Sequence, residues 1–247
     1  MTDAWNWLVR QFEITFIVRN RYMLFVEGFK NTLIIAAGAA VIGVFLGAVV
    51  AMVRVYRAQT GRMRALDTVL GWYLAVFRGT PVVTQLCIMY FIIFKSVNNG
   101  LLVAILAFGI NSGAYVAEIV RAGILAVDPG QTEAGRSLGL PAFRTMILIV
   151  LPQAIKNILP ALGNEFITLL KETSVAGYVT INDLQRAGEK VRTATAEPYF
   201  SLVFVALVYF LLILGLTKLL KMGERRLARS DRSFNQGMRP VQAIRRK

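Results

Sequence analysis

The chain contains no histidine among its 247 residues and only one cysteine, Cys87. Without histidine there can be no Ser–His triad, histidine metal site or histidine proton relay. A single cysteine excludes an intrachain disulfide, and its apolar surroundings indicate a small buried packing residue. The phosphate-binding pattern G-x-x-x-x-G-K-[ST] is also absent, so this chain lacks the nucleotide loop of P-loop ATPases. We therefore expect no catalytic residues, no metal site and no cofactor on this chain.

Charge is scarce as well. Charged residues make up 17% of the chain and hydrophobic residues 56%, and the mean hydropathy is +0.57. One soluble core does not bury that much apolar mass. Residues 31–53, 96–117 and 198–217 carry no charge at all, and each run reaches the ~20 residues that a membrane-spanning helix needs. The chain is therefore an integral membrane protein.

Two further segments are apolar except for isolated charges: Arg78 in the first, and Lys156 and Glu165 in the second. Such charges are costly in lipid and are expected to face the bundle interior or a wet cavity. The sequence thus predicts an all-α integral membrane protein with five transmembrane helices, at about residues 31–53, 68–94, 96–120, 145–170 and 198–217.

The distribution of basic residues predicts the orientation. Lys and Arg number four in residues 54–67, three in 121–144 and ten from Lys218 onward, and five spans place these regions on one side. The opposite side has nine, mixed with seven acids. The positive-inside rule then puts the N-terminus outside and the C-terminus in the cytoplasm of a cell (inner) membrane.

Three regions follow from this topology. Residues 1–28 form an extracytoplasmic interfacial segment without a cleavable signal, in which Trp5, Leu8, Phe12 and Phe16 recur at helical spacing. Residues 29–220 form the transmembrane domain, with a loop at 121–144. Residues 221–247 form a basic cytoplasmic tail that we expect to lie on anionic lipid rather than to bind nucleic acid.

The loop at 121–144 has an unusual pattern of helix breaks. Four of the seven prolines lie between residues 129 and 160. Gln131 to Leu138 reads as a two-turn helix with Glu133 in its first turn, where a carboxylate is favoured. Gly139 suits a left-handed C-terminal cap, and Pro141 begins the next helix. A rigid helix at a sharp corner can dock into a partner's groove, although an ordinary loop remains the alternative.

The same loop resembles a known family signature. The spacing in this loop resembles the EAA motif of ABC importer permeases, with glycine in place of the third-position alanine. The motif consists here of Glu133, Ala134 and Gly135, then three residues, Gly139, nine residues and IVLP. Further segments are similar to the permeases for polar amino acids: EGFKNTL at 27–33, FRGTPVVTQL at 77–86, SGAYVAEIVRAGI at 112–124, GNEFITLLKETSV at 163–175 and DLQRAG at 183–188.

This resemblance implies a type I ABC importer permease fold with a cytoplasmic coupling (EAA) helix. It implies two permease chains per complex, identical or sister, two cytoplasmic ATPase subunits that carry ATP and Mg, and an extracytoplasmic amino acid binding protein. The coupling site carried over from the family comprises Gln131, Glu133, Ala134, Gly135, Ser137, Leu138, Gly139 and Leu140. Glu133 is expected to contact the ATPase or cap the coupling helix, and a solvated polar face is the alternative.

The fourth span offers candidates for a substrate pathway. Glu165 and Glu172 are seven residues apart, which places both carboxylates on one helix face. Asn164, Thr168 and Thr173 lie near that face. Two acids in a membrane cavity suit the α-ammonium group of an amino acid, or a cationic side chain. Ion pairing with Lys171, Lys156 or Arg78 is the alternative.

The second span carries the other polar cluster, which comprises Arg78, Gly79, Thr80, Pro81 and Gln85. Gly79 and Pro81 are expected to break the helix and free backbone groups for a ligand, as in transporters. Arg78 suits a substrate carboxylate, and the alternatives are that it snorkels to the membrane surface or binds a neighbouring helix.

Other motifs in the spans indicate packing. The small residues from Asn111 to Ala114, and Gly43 with Gly47, favour close helix approach. Glu118 and Arg121 are three residues apart and favour a structural ion pair.

Two rival functions remain at this point. A secondary amino acid transporter or channel would work without an ATPase. An intramembrane enzyme is disfavoured, because no span combines a nucleophile with a histidine base or a metal-ligand cluster.

Overall fold

The computed structural model describes residues 2–237, which form ten α-helices and contain no strand. The helices are α1 Thr2–Phe12, α2 Tyr22–Thr60, α3 Arg64–Gly79, α4 Val82–Ile88, α5 Gly100–Leu125, α6 Pro129–Ser137, α7 Ala142–Thr145, α8 Leu151–Glu172, α9 Leu184–Thr195 and α10 Pro198–Gly237. A π-helical turn, Met89–Ile93, extends α4, and another, Met146–Val150, joins α7 to α8. A 3-10 segment, Thr173–Val179, follows α8.

Four helical segments of the described chain are long and apolar enough to cross a membrane: Tyr22–Thr60, Gly100–Leu125, Ala142–Val179 and Tyr199–Arg225. The pair Arg64–Gly79 and Val82–Ile93 passes the same test but is bent by 111° at residues 80–81, and it makes a fifth span if counted as one. The predicted all-helical membrane fold is confirmed. The second predicted span, about 68–94, is a broken helix rather than a continuous one.

Most helices extend beyond the charge-free runs that predicted them. The first span was predicted at 31–53, but α2 runs for 39 residues and carries Glu27 and Lys30 near one end and Arg54 and Arg57 near the other. Charged residues at the ends of a long helix lie beyond the hydrocarbon layer, so they do not interrupt it. Apolar runs therefore underestimate helix length.

The α2–α5 pair forms the centre of the molecule. A Cβ placed on Gly43 would lie 3.0 Å from Ser112 Cβ, and one on Gly47 would lie 2.5 Å from Val116 Cγ1. Only glycine allows the two backbones to approach this closely. The predicted packing role of Gly43 and Gly47 is confirmed, and Phe108 of α5 is fully buried in the adjoining core.

One end of α2 is fixed to the start of α9. Asn31 Nδ2 donates to the Asn182 carbonyl at 2.9 Å, and the Leu184 amide donates to Thr32 Oγ1 at 3.1 Å. The other end of α2 borders a cleft beside α6. Helices α6 and α9 therefore lie at opposite ends of the bundle.

The N-terminal segment packs on the last helix through aromatic side chains. Phe16 contacts Phe25 of α2 and Phe204 of α10, with ring centroids 5.5 and 4.7 Å away. Trp5 and Leu8 of α1 are exposed. In the predicted basic tail, residues 221–237 continue α10, and the rest lies outside the described residues.

Candidate functional site

The short helix α6 begins with a strong N-terminal cap. Asp128 Oδ1 accepts a hydrogen bond from the Gly130 amide at 2.9 Å, and Pro129 occupies the first helical position. A carboxylate cap followed by proline fits the unpaired amides of a first turn. The helix was predicted to start at Gln131 with Glu133 in its first turn, and this was wrong. Asp128 caps the helix, and Glu133 lies beyond the first turn.

The C-terminal end of α6 is closed by Gly139. Gly139 has a φ of +83°, its amide donates to the Arg136 carbonyl, and the Leu140 amide donates to the Gly135 carbonyl at 3.1 Å. These two bonds form a Schellman motif, which needs a residue in the left-handed conformation. The predicted left-handed cap at Gly139 is confirmed.

Most of the predicted coupling residues on α6 face solvent. Leu138 is 81% exposed. Leu140 is half-buried, and Gln131, Glu133, Ala134, Ser137 and Gly139 are exposed. A leucine this exposed on a short, rigid helix leaves an apolar surface uncovered by the chain itself.

Gly135 lies on the opposite face of α6 and is buried. A Cβ at this position would lie 2.7 Å from Thr145 Cγ2 and 2.8 Å from Ile149 Cδ1. The glycine that departs from the EAA pattern is therefore where the helix packs against the following segment. The backbone of Gly135 is covered by the side chains of Thr145 and Ile149 and is not exposed to solvent.

A cleft of about 370 Å³ separates α6 from the ends of α2 and α5. Arg54 and Gln59 line it from α2, Arg121 from α5, and Thr132 and Glu133 from α6. Arg54 pairs with Asp67 at 3.2 Å. The predicted structural pair of Arg121 with Glu118 is confirmed. The cations that face this cleft are thus held by acids of the chain.

The break between α3 and α4 is closed by two buried amide side chains. Gln85 Nε2 donates to the Phe77 carbonyl at 3.0 Å and to the Thr80 carbonyl at 3.0 Å. Asn111 Nδ2 of α5 donates to the Phe77 carbonyl at 3.2 Å and to Gln85 Oε1 at 2.8 Å. The predicted break at Gly79–Pro81 is confirmed. The Phe77 and Thr80 carbonyls that it frees from the helix are bound by these side chains rather than left open.

Arg78 lies beside this break and is exposed, with its guanidinium carbon 5.7 Å from the centre of the Tyr115 ring of α5. This is cation–π geometry, which suits a planar guanidinium on an aromatic face. Thr80 is also exposed, and its hydroxyl donates to the Val76 carbonyl at 2.8 Å.

Glu165 of α8 meets the same stretch of α5. Ser112 Oγ donates to Glu165 Oε1 at 2.9 Å, beside a cavity of about 60 Å³ lined otherwise by apolar residues. Ser112 and Tyr115 are three residues apart and so are neighbours on one helix face. One face of α5 therefore holds an anionic group at Ser112 and a cationic group at Tyr115.

The remaining pathway candidates differ in their surroundings. Asn164 and Thr168 are exposed, and Glu172 is half-buried at the end of α8. Thr173 is buried, and its hydroxyl donates to the Leu170 carbonyl at 2.8 Å.

Four residues with clear structural roles were missed or only partly understood from the sequence. Asn111 and Ser112 were assigned to a helix seam, yet their side chains bind Gln85 and Glu165. Asp128 was not identified as a cap, although an aspartate directly before proline is a typical helix start. Asp183 is fully buried and caps α9 through the amides of residues 185 and 186.

Comparison with known proteins gives consistent relatives. The family described as binding-protein-dependent transport system inner membrane component matches residues 43–229. The arginine transport system permease protein ArtQ of Bacillus subtilis is 38% identical over 208 residues, which cover 83% of this chain and 93% of that protein. The glutamine transport system permease protein GlnP of Escherichia coli is 32% identical over 208 residues, with the same coverage of both chains.

Solved structures agree with these relatives. The crystal structure of an amino acid ABC transporter with histidines aligns with a TM-score of 0.78 at 39% identity, covering 85% of this chain and 98% of that one. The inward-facing MetNI methionine ABC transporter aligns with a TM-score of 0.72 at 20% identity, covering 83% and 96%, and shares the fold.

The fold, together with these relatives, defines a membrane permease subunit of an ABC importer, rather than an enzyme. The chain belongs to the binding-protein-dependent transport system inner membrane component family. Family membership implies ATPase and binding-protein partners and a multi-pass location in the inner membrane, as predicted. The alternative of a secondary transporter or channel is not favoured.

Proposed function

We propose that this chain forms the translocation pathway for a polar amino acid, delivered by an extracytoplasmic binding protein and driven by ATP. The observation that carries the proposal is the pair of opposite charges on one face of α5. Arg78 lies over Tyr115, and Glu165 is bonded to Ser112 one turn away. A zwitterionic amino acid has a carboxylate that Arg78 can bind and an ammonium group that Glu165 can bind.

The exposed polar residues indicate where the pathway runs. Arg78, Asn164 and Thr168 are exposed on segments that cross the membrane. A charged or amide side chain is too costly to face lipid, so these positions face water or a second permease chain. The pathway residues of the proposal are Arg78, Thr80, Gln85, Asn164, Glu165, Thr168, Glu172 and Thr173. Gln85 and Thr173 act by holding the backbone around the path.

The cargo proposal is tested by uptake into vesicles with ATP inside. The substrates are arginine, glutamine and cystine, because relatives of this chain are named as permeases for these three amino acids. Glu165→Gln and Glu172→Gln are expected to lower uptake about tenfold or more, because a lost charge-assisted bond weakens binding by that order. Glu27→Gln removes an exposed carboxylate outside this face and serves as the matched control. Unchanged uptake in both variants would contradict the pathway, and uptake without ATP would favour the secondary transporter.

Helix α6 is the proposed docking site for the ATPase. Its exposed residues Gln131, Glu133, Ala134, Ser137, Leu138 and Gly139 form the surface, Leu140 borders it, and Gly135 sets the position of the helix on the bundle. Two permease chains, each with one ATPase on its α6, complete the proposed assembly, and ATP and Mg are held by the ATPases. Closure of the ATPases would draw both α6 helices together and tilt the attached spans.

Coupling is tested by the ratio of ATP hydrolysed to amino acid taken up. Glu133→Lys and Leu138→Asp are expected to leave the chain in the membrane but to uncouple hydrolysis from uptake, because each places a charge against the docking surface. Arg62→Gln changes an exposed charge in the neighbouring α2–α3 loop and is the control. A normal ratio in both α6 variants would refute the docking site.

The proposed orientation has the N-terminus outside and α6 in the cytoplasm. The support is the count of basic residues, which is seventeen for the side that includes residues 54–67, the α6 loop and the tail, and nine for the opposite side. Ser137→Cys on α6 and Thr193→Cys on α9, each in a Cys87→Ser background, test it with a membrane-impermeant maleimide on whole cells. Labelling is expected at residue 193 and not at residue 137, and the reverse pattern would overturn the orientation.

A further inference from the structure

A polar pocket of about 260 Å³ lies at the α9 end of the bundle, opposite to α6. We name it the α9 pocket. Pockets for drug-sized ligands are about 300–1,000 Å³, so this smaller space suits a single small molecule. It is lined by Ser174, Gly177, Tyr178, Gln185, Arg186 and Glu189.

The pocket stands on a fixed backbone. Asp183 caps α9, with Oδ1 accepting from the Arg186 amide at 3.0 Å, and Asn31 holds the preceding residue to α2. Across the pocket, a Cβ on Gly177 would lie 3.3 Å from Arg186 Cβ, so the arginine stem packs directly on the 3-10 segment. The two charged side chains of the pocket therefore start from rigid positions, which favours a preformed site.

The charged groups of the pocket are only partly satisfied. Arg186 Nη1 lies 3.4 Å from Glu189 Oε2, a long contact between half-exposed side chains. Arg186 Nε is buried and has no acceptor among the described residues. A buried guanidinium N–H without an acceptor is unfavourable, and an incoming carboxylate would satisfy it. Glu189 beside it offers an acceptor for an ammonium group.

The position of the pocket links it to the proposed pathway. Ser174 follows Glu172 by two residues, directly beyond the end of α8 that carries Glu165. The α9 pocket therefore follows directly in the chain after Glu172 and Thr173, the last two residues of the proposed pathway.

We propose that the α9 pocket is an outer binding site for an α-amino acid, in which Arg186 holds the carboxylate and Glu189 the ammonium group. The site receives the amino acid from the binding protein before it reaches Glu172. This inference rests on the importer function and the orientation proposed above. It adds a binding site outside the membrane-embedded residues and fixes the recognised group as the zwitterionic part common to α-amino acids.

The test uses the complex of the permease and ATPase subunits in nanodiscs without the binding protein. A fluorophore on Thr180→Cys, in a Cys87→Ser background, reports local binding, because residue 180 is exposed beside the pocket. The probes are L-glutamine, its methyl ester, which lacks the carboxylate, and N-acetyl-L-glutamine, which lacks the ammonium group.

Arg186→Gln is expected to weaken L-glutamine binding about tenfold and to leave the methyl ester unchanged. Glu189→Gln is expected to weaken L-glutamine and the methyl ester and to leave the N-acetyl compound unchanged. Lys190→Gln, an exposed cation on the same helix, is the control and should change nothing. Repeating the titration with L-arginine and its methyl ester covers a cationic cargo.

Two results would overturn the inference. One is the lack of a saturable signal in the unsubstituted complex, and the other is an equal loss for L-glutamine and its ester in Arg186→Gln. ATP-driven uptake by the same subunits in sealed vesicles, measured with the binding protein present, separates the α9 pocket from the importer function. Uptake with no binding signal rejects the α9 pocket alone, whereas the absence of ATP-driven uptake for the whole amino acid panel rejects the proposed function.

Discussion

Asn111 Nδ2 donates to Gln85 Oε1 at 2.8 Å, and this bond joins α5 to the broken span formed by α3 and α4. Both side chains are buried, with 2% and 7% of their surface exposed. Together they occupy the carbonyls of Phe77 and Thr80, which the break removes from the helical ladder. Backbone polar groups away from water need such partners, so the amide pair stabilises the bend that presents Arg78.

Replacing Gln85 should therefore destabilise the break. Gln85→Leu leaves the Thr80 carbonyl without its partner and is expected to cost about 1–3 kcal/mol. The measurement is the thermal unfolding of the purified complex. Thr84→Val, at an exposed position on the same helix, should have little effect. Equal unfolding temperatures for the Gln85 variant and the unsubstituted chain would show that the amide is dispensable.

The glycine in the coupling loop is expected to resist replacement by the family's alanine. Gly135→Ala gains about 1 kcal/mol of helix propensity, but it forces a methyl group against Thr145 and Ile149. Overpacking of this kind typically costs about 1–3 kcal/mol. We expect lower ATP-coupled uptake, restored by adding Thr145→Ser, which removes the nearest methyl group. Higher uptake in the single variant would contradict this account.

The cap on α6 gives a prediction that separates Asp128 from Glu133. Asp128→Ala should destabilise the helix by about 1 kcal/mol, whereas Asp128→Asn keeps an acceptor and should be close to neutral. Glu133→Ala should leave the helix intact. Hydrogen exchange at the amides of the first α6 turn measures the difference. If Glu133→Ala speeds this exchange and Asp128→Ala does not, the assignment of the cap is wrong.

Asp183 should make stability depend on pH. Burial raises the pKa of its carboxyl to about 6, against the opposing effect of the amide hydrogen bonds that it accepts. Between about pH 4 and pH 6 the folded chain keeps a proton that the unfolded chain has released, so rising pH through this window lowers stability. The full effect is roughly 3 kcal/mol.

The comparison variant is Asp183→Asn, which cannot titrate. From pH 4 to pH 7, the unfolding temperature of the unsubstituted complex should fall relative to that of the variant. Neighbouring Glu189 raises the same pKa by charge repulsion, so Glu189→Gln should reduce the pH dependence without abolishing it. Parallel curves for the unsubstituted chain and Asp183→Asn would contradict the shift.

The sequence predicted the features that depend on local chemistry. Charge-free runs located the spans, Gly139 marked a left-handed cap, and Gly79 with Pro81 marked a helix break. All three are local properties of the sequence: the length of an apolar run, the backbone freedom of glycine and the missing amide hydrogen of proline. The Asp128 cap was not predicted, because the helix was expected to begin at Gln131 with Glu133 of the family motif in its first turn.

Features that depend on pairing across the bundle were not predictable in this way. Gln85 and Asn111 are 26 residues apart, and Ser112 and Glu165 are 53 apart. A single sequence offers many polar candidates for each partner, and only the packing of α5 against α3, α4 and α8 selects among them. The bend of 111° between α3 and α4 is likewise a result of that packing, since glycine and proline permit a break without fixing its angle.

The unbroken length of α2 has a mechanical consequence. At 1.5 Å per residue, its 39 residues measure about 58 Å, enough to cross the bilayer and reach beyond both surfaces. One end is bonded to α9 and the other borders the cleft beside α6. Because α5 packs closely against Gly43 and Gly47 along the side of α2, α2 is supported along its length and is expected to move as a rigid unit. A tilt imposed on α2 at the α6 end would therefore be transmitted along the whole helix to the α9 end of the bundle.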